Sequence, residues 1–275
     1  MAVTRFAPSP TGPLHLGHAW AAMVAHDHGT PMRLRIEDID RSRARPDHEA
    51  AIHEDLRWLG LDWAPPAMRQ SERAAVYADA LDRLWAMGVL YPCSCRRRDI
   101  LDAARAPQEG APLHGPDGVI YPGTCRHRSR RGPRPDEALR LDARMLDAVS
   151  WTDGGTSRRM DPETFAREIG DGVVARRDMR TSYHLSVVVD DAAQGVTLVT
   201  RGADLAEATP IHVALQSLLG LPTPAYLHHD LVRDASGKRL AKRDDARALS
   251  QYRAAGWTAG ALKARLRESR VAPEV

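Results

Sequence analysis

With 275 residues, 43% of them hydrophobic and 27% charged, the chain has the composition of a folded protein with a sizeable core and not of a disordered one. Its 39 Lys and Arg against 36 Asp and Glu leave a formal charge of only +3, so attraction to nucleic acid has to come from local clustering. No uncharged apolar run approaches the roughly 20 residues of a membrane span, the start lacks a secretory pattern, and three cysteines make a poor disulfide framework. A cytoplasmic monomer with no membrane partner is expected.

The chain opens with a short strand, Val3 to Phe6, a Pro/Gly-rich loop, Ala7 to Pro13, a helix from near His15 to His28, and a second strand, Met32 to Ile36. Strand, loop, helix, strand is the unit of a parallel α/β sheet, whose ligands sit at the carboxyl ends of the strands. Helices are expected from about Pro46 to Leu59 and from Ser71, read as an N-cap, to Gly88. From Tyr91 to Pro135 periodicity fades, and Pro, Gly, Arg and Cys dominate as in an inserted module outside the sheet. Strands are then expected at Ala138 to Asp142, Val173 to Arg176 and Val196 to Arg201, and a helix from Thr209-Pro210 to Gly220. Tyr183 to Asp191 fits helix or strand, Asp234 to Asp245 reads as a polar basic loop, and a last helix runs from about Thr258 to Glu268. The expected division is 1–90 and 136–220 for the two halves of a Rossmann-like α/β catalytic domain, 91–135 for the module, and 221–275 for a basic loop and helical C-terminal segment.

In Arg5-Phe6-Ala7-Pro8-Ser9-Pro10-Thr11-Gly12-Pro13-Leu14-His15-Leu16-Gly17-His18 a rigid turn after the strand aims a helix N-terminus at one place, which suits a phosphate. Gly17 leaves room for a base or ribose, and His15 and His18, three apart, share the first helical turn. This run resembles the first signature of class I aminoacyl-tRNA synthetases, in the form of the glutamyl branch. The resemblance implies a second, lysine-bearing loop, and Gly237-Lys238-Arg239-Leu240-Ala241-Lys242-Arg243 occupies its place, with Arg239 where the family has its first lysine and Ala241 where it has serine. Lys242 is the position carried over, as a fixed positive charge for the phosphates of ATP, which Mg²⁺ would accompany.

Glutamate has two carboxylates and an ammonium, so its pocket calls for arginine forks and a carboxylate. By resemblance the segments Leu34 to Asp40, Tyr183 to Asp191 and Val199 to Leu205 imply Arg5, Ala7, Ser9, Glu37, Tyr183 and Arg201 around glutamate, with Glu37 taking the ammonium. Cys93, Cys95 and Cys125 supply three soft ligands for a structural Zn²⁺ in a segment with little core of its own. General frequencies favour His127 as the fourth, whereas the spacing of the glutamyl-Q subfamily implies Tyr121, and water is the other alternative. The run Arg126-His127-Arg128-Ser129-Arg130-Arg131 is either a solvated loop or a contact for the tRNA backbone.

The resemblance covers Arg5 to about Arg243, and the roughly 30 residues that follow are too few for an anticodon-binding domain. It implies an enzyme that forms glutamyl-AMP from L-glutamate and ATP without tRNA, then esterifies glutamate onto the queuosine base at the wobble position of tRNA(Asp). A minimal glutamyl-tRNA synthetase charging the 3′ end of tRNA(Glu), and a non-catalytic glutamate or nucleotide sensor, are the competing expectations.

Overall fold

The computed structural model describes residues 1–104, 114–234, 237–238, 240 and 247–273. Two compact units emerge, one of Met1–Glu72, Gly195–Asp204 and Tyr226–Val275, the other of Arg73–Gln194 and Leu205–Ala225. Among the described residues no helix is long and apolar enough to cross a membrane.

The first unit opens as β1 (Thr4–Phe6), α1 (Leu16–His28), β2 (Met32–Ile36), α2 (Pro46–Trp58) and β3 (Ala64–Arg69). The three strands form a parallel sheet in the order β1-β2-β3, with Thr4 opposite Met32 and Phe6 opposite Leu34. Strand β3 escaped the sequence reading because Pro65 and Pro66 look like a breaker, yet it lies at the sheet edge, where a missing N–H costs no ladder bond. Ser71 does not cap the next helix. It lies in a 3₁₀ turn, Gln70–Glu72, and Asp38 claims both its N–H (2.8 Å) and its hydroxyl (2.6 Å), so helix α3 starts only at Ala74.

The second unit runs through α3 (Ala74–Ala86), β4 (Leu90–Cys93), α4 (Arg97–Ala104), the short pair β5 (His114–Gly115) and β6 (Gly118–Val119), β7 (Ala138–Leu141), a hairpin of β8 (Val149–Asp153) and β9 (Thr156–Met160), α5 (Pro162–Glu168), β10 (Val173–Ala175) and α6 (Tyr183–Ala193). Strands β10, β7 and β4 form an antiparallel sheet in that order. The segment from Tyr91 therefore begins inside a sheet, and Pro92 obscured it because β4 too is an edge strand. Helix α6 settles the ambiguous stretch: Ser182 caps it, and its residues are buried all round from His184 to Asp191, which is why no amphipathic period marked it.

Strand β11 (Leu198–Gly202) returns to the first unit, α7 (Thr209–Leu219) completes the second, and β12 (Ala225–His229), α8 (Leu249–Ala254) and α9 (Ala259–Glu268) close the chain. Gly220, at φ 62°, ends α7 in the left-handed conformation that suits glycine. Leu249, Tyr252, Leu262 and Leu266 are buried in the same core as Leu16, Met23, Leu34, Ile52 and Leu56, so the C-terminal helices belong to the first unit's interior.

There Arg253 donates to Asp55 (3.1 Å) and Glu54 (2.7 Å). Asp55 is 3% exposed, and burial pushes its carboxyl from 3.8 up to about 6 although Arg253 opposes the shift. A raised carboxyl pKa means the folded state binds the proton more tightly. Its stabilising share is therefore complete below about pH 4 and is lost as pH rises through 6, by about 3 kcal/mol for a two-unit shift. Denaturant unfolding between pH 4 and 7 should show this loss in the wild type and not in Asp55→Asn; parallel profiles would contradict it.

Candidate active site and metal centre

His15 is the N-cap of α1, in extended conformation, and its Nδ1 accepts from the Gly17 N–H at 3.1 Å. The His15 N–H in turn donates to Nδ1 of His18 at 3.1 Å, a reciprocal capping box built from two imidazoles whose centroids lie 3.9 Å apart. Because each Nδ1 accepts, each ring carries its proton on Nε2. Gly17 is required: a Cβ there would lie 2.9 Å from the His15 ring. With no acidic residue in its first turn, this helix start offers anions the positive end of the dipole and two imidazole donors.

The preceding loop is pinned where the sheet ends. Glu37 N–H donates to Pro8 O, Arg45 N–H to Pro10 O, and Thr11 N–H to Ser9 O, at 3.0, 3.0 and 2.8 Å. Lys242, with Arg239, Ala241 and Arg243, lies outside the described residues; within that segment Leu240 N–H donates to Val232 O (3.1 Å), and after it Leu249 N–H donates to Leu14 O (2.8 Å) and Ala248 bridges His15.

Arg5, the middle residue of β1, is buried and donates through Nη1 to Thr200 O of β11 at 2.8 Å. Next along β11, Arg201 donates through Nε to His228 Nε2 at 3.1 Å and lies 5.2 Å from the centre of the Tyr226 ring. Glu37, one residue past β2, accepts a long 3.4 Å contact from the fully buried Arg35. Ala7 and Ser9 are half-buried on the pinned loop.

In the second unit the sulfurs of Cys93, Cys95 and Cys125 lie within 4.8 Å of one another, with Cys95 and Cys125 at 3.5 Å. The Tyr121 hydroxyl is 3.5 Å from Cys93 and 3.3 Å from Cys95, and accepts the Cys125 N–H at 2.9 Å. A tetrahedral zinc with Zn–S bonds of about 2.3 Å sets sulfurs about 3.8 Å apart and a phenolate oxygen about 3.5 Å from each. The four side chains fit that shape. His127 is exposed and stands outside the cluster. Burial raises the Cys95 thiol to about 11, whereas hydrogen bonds from Tyr121 and the Ser94 backbone overcome burial and hold Cys125 down to about 6. Arg140 lies 3.8 Å from the Tyr121 ring centre and donates to Cys93 at 3.4 Å, a cation placed to offset thiolate charge.

Residues 1–273 match the family described as tRNA synthetases class I (E and Q), catalytic domain. Over 268 residues, 92% of this chain and 95% of the relative, the sequence is 61% identical to glutamyl-Q tRNA(Asp) synthetase of Rhodobacter capsulatus. The chain belongs to the glutamyl-Q tRNA(Asp) synthetase family. The protein of that name from Deinococcus radiodurans is 44% identical over 275 residues, covering 97% of this chain and 88% of the relative. Among solved structures, a glutamate tRNA ligase from Elizabethkingia meningosepticum in complex with its amino acid superposes with TM-score 0.68 at 28% identity, over 89% of this chain. The chain spans about half, 52%, of that ligase. Methionyl-tRNA synthetase of Mycobacterium tuberculosis, at 11% identity and TM-score 0.57 over 92% of this chain and 61% of that one, shares the fold.

In this member of the glutamyl-Q family the first unit gathers His15, Gly17, His18, Arg5, Ala7, Ser9, Glu37 and Arg201 on elements joined by hydrogen bonds. Tyr183 opens α6 in the second unit, its ring edge-on to His184 and His212. His184 bonds both His212 (3.0 Å) and Asp117 (2.9 Å), a chain the sequence did not announce. Tyr226 and His228, whose rings stack at 5°, were missed as well; their spacing of two in the sequence is the strand signal that would have found them. The arginine run is partly paired within the chain. Arg126 pairs with Asp171 (2.6 Å), Arg128 is bidentate on Glu137 (2.8 and 2.9 Å), and Arg130 pairs with Asp142 (2.5 Å), so these cations fasten the metal-binding segment to residues flanking the strands of the unit's sheet.

Proposed function

We propose that the protein activates L-glutamate with ATP as glutamyl-AMP and transfers it to the queuosine base at the wobble position of tRNA(Asp), acting in the cytoplasm. The observation that carries the reading is the joining, within one unit, of an imidazole-capped helix start to two buried arginines and a strand-end glutamate. An anion subsite beside a dicarboxylate-and-ammonium subsite is what the reaction needs. The names carried by the relatives support tRNA(Asp) as the acceptor.

Glu37 takes the substrate ammonium, and Arg5 and Arg201 the carboxylates, with Ala7 and Ser9 lining the pocket. The expected contact of Tyr183 rests on resemblance alone. The Nε2–H groups of His15 and His18 and the α1 N-terminus hold the phosphates of ATP. A carboxylate oxygen of glutamate attacks the α-phosphorus, the bond to the β-phosphate oxygen breaks, and pyrophosphate leaves. Positioning and the fixed charge of Lys242 lower the barrier, and no covalent enzyme intermediate forms. Mg²⁺ would travel with ATP and neutralise phosphate charge. A hydroxyl of the acceptor base then attacks the acyl carbon, giving up its proton, and AMP leaves. Cys93, Cys95, Cys125 and Tyr121 would hold a structural Zn²⁺.

Glutamate-dependent ATP–pyrophosphate exchange without tRNA tests the activation step. Exchange is expected in the wild type, with a fall of about 100-fold or more in Lys242→Ala, the scale of losing one preorganised charge-stabilising group. No exchange would favour a sensor, and an unaffected variant would show that the charge is supplied elsewhere.

A further inference from the structure

Arg140 sits in β7, the middle strand of the second unit's antiparallel sheet, directly opposite Tyr91 of β4 and between the buried Leu139 and Leu141. Alternation along a strand would put such a residue on a solvent face. It is instead 9% exposed, because side chains of the cysteine-bearing segment cover that face.

A guanidinium does not give up its proton in a protein, so burying one without an opposite charge is costly, and buried arginines ordinarily meet a carboxylate. Arg140 does not. Its Nε–H donates to the Cys93 sulfur (3.4 Å), its Nη1 to the Asp171 carbonyl oxygen (2.7 Å), and its central carbon lies 3.8 Å from the centre of the Tyr121 ring. Among the described residues no carboxylate forms an ion pair with it. The Asp171 carboxylate is taken by Arg126 (2.6 Å), Tyr91 and the Ala143 N–H (3.0 Å), and that of Asp117, which senses the guanidinium without touching it, by His184 (2.9 Å).

The opposite charge that remains is that of the sulfurs. Three thiolates exceed the charge of Zn²⁺ by one, and a single guanidinium cancels the excess. Arg128, the other cation whose field reaches Cys93 and Cys125, is committed to Glu137 through both of its outer nitrogens. Arg140 also touches two of the four donor side chains, holding the Cys93 sulfur through Nε and the plane of Tyr121 through the ring face.

We infer that Arg140 is the resident counter-cation and positioning residue of the metal centre, and that it sets how tightly the three cysteines and Tyr121 hold a divalent ion. The inference rests on the zinc-binding reading of that cluster and goes beyond it, since it makes the affinity depend on a residue that supplies no ligand atom.

The test uses the full chain and zinc itself. Chelator competition should give Arg140→Met a zinc affinity about 10- to 100-fold below the wild type, the range for losing an outer partner of a metal ligand. Arg140→Lys, which keeps the charge without the planar fork, should fall between the two. A residue that favours metal binding must by linkage stabilise the metal-bound state more than the metal-free one, so Arg140→Met should lower the melting temperature more with zinc bound than in excess chelator. Arg140→Gln, which can still donate to the Asp171 carbonyl, keeps the test open should Arg140→Met fail to fold. Wild-type zinc affinity in the uncharged variants, or equal losses of melting temperature with and without zinc, overturns the inference and reduces Arg140 to packing. An Arg140→Lys affinity no better than that of the uncharged variants overturns the counter-charge. A wild type that binds no zinc would instead overturn the metal centre itself.

Discussion

Arg201→Gln is expected to raise the KM for glutamate in pyrophosphate exchange by about 10- to 150-fold, the value of one charge-assisted hydrogen bond of about 1.5–3 kcal/mol. Arg201 is 5% exposed, its Nε–H is held by His228, and Tyr226 lies under its guanidinium, so the orientation of the fork is set before substrate arrives. Glutamine can occupy the space but brings neither the charge nor the planar fork. On the proposed function this contact is made to bound glutamate before and during the reaction alike, so its loss should fall on KM far more than on kcat. An unchanged KM, in a variant with wild-type unfolding, would remove Arg201 from the pocket.

Cys93→Ser should cut bound zinc from about one per chain to less than a tenth and open the segment between Cys93 and Cys125 to proteolysis. Among the described residues the buried cluster there comprises Tyr91, Cys93, Tyr121 and Cys125, with Cys95 and Ile100 packed against it. So small a cluster cannot hold a segment by apolar burial, whereas structural zinc supplies apparent binding energies on the order of 10 kcal/mol in small domains. The substitution also deprives Arg140 of its sulfur acceptor. Zinc quantified by atomic absorption and a limited tryptic digest of both proteins check this. A wild type without metal, or a variant equally protected, would contradict the metal assignment.

The parts of the site that lie close together in sequence were the legible parts. The helix start at His15, the turn before it and the carboxyl end of β2 are specified by neighbours three or four residues away, and the Cys93, Cys95 and Cys125 spacing marked a soft-ligand cluster. What was hidden depends on long-range partners. Nothing near Arg201 in the chain points to His228, 27 residues on, and nothing near Arg126 points to Asp171, so the arginine run read as free charge. Strands β3 and β4 were masked by prolines that only an edge position tolerates, and the β8–β9 hairpin by polar residues on its outer face. Ser71 shows the reverse error: a good local cap was overruled because Asp38, 33 residues earlier, satisfies its donors first.

The most direct measurement is transfer of labelled glutamate, with ATP and Mg²⁺, to tRNA from queuosine-containing and queuosine-deficient cells, counted before and after the 3′ end is stripped. Label that requires queuosine and survives stripping is expected. Label that ignores queuosine and is lost with the 3′ end would make the protein a minimal glutamyl-tRNA synthetase and contradict the proposed function.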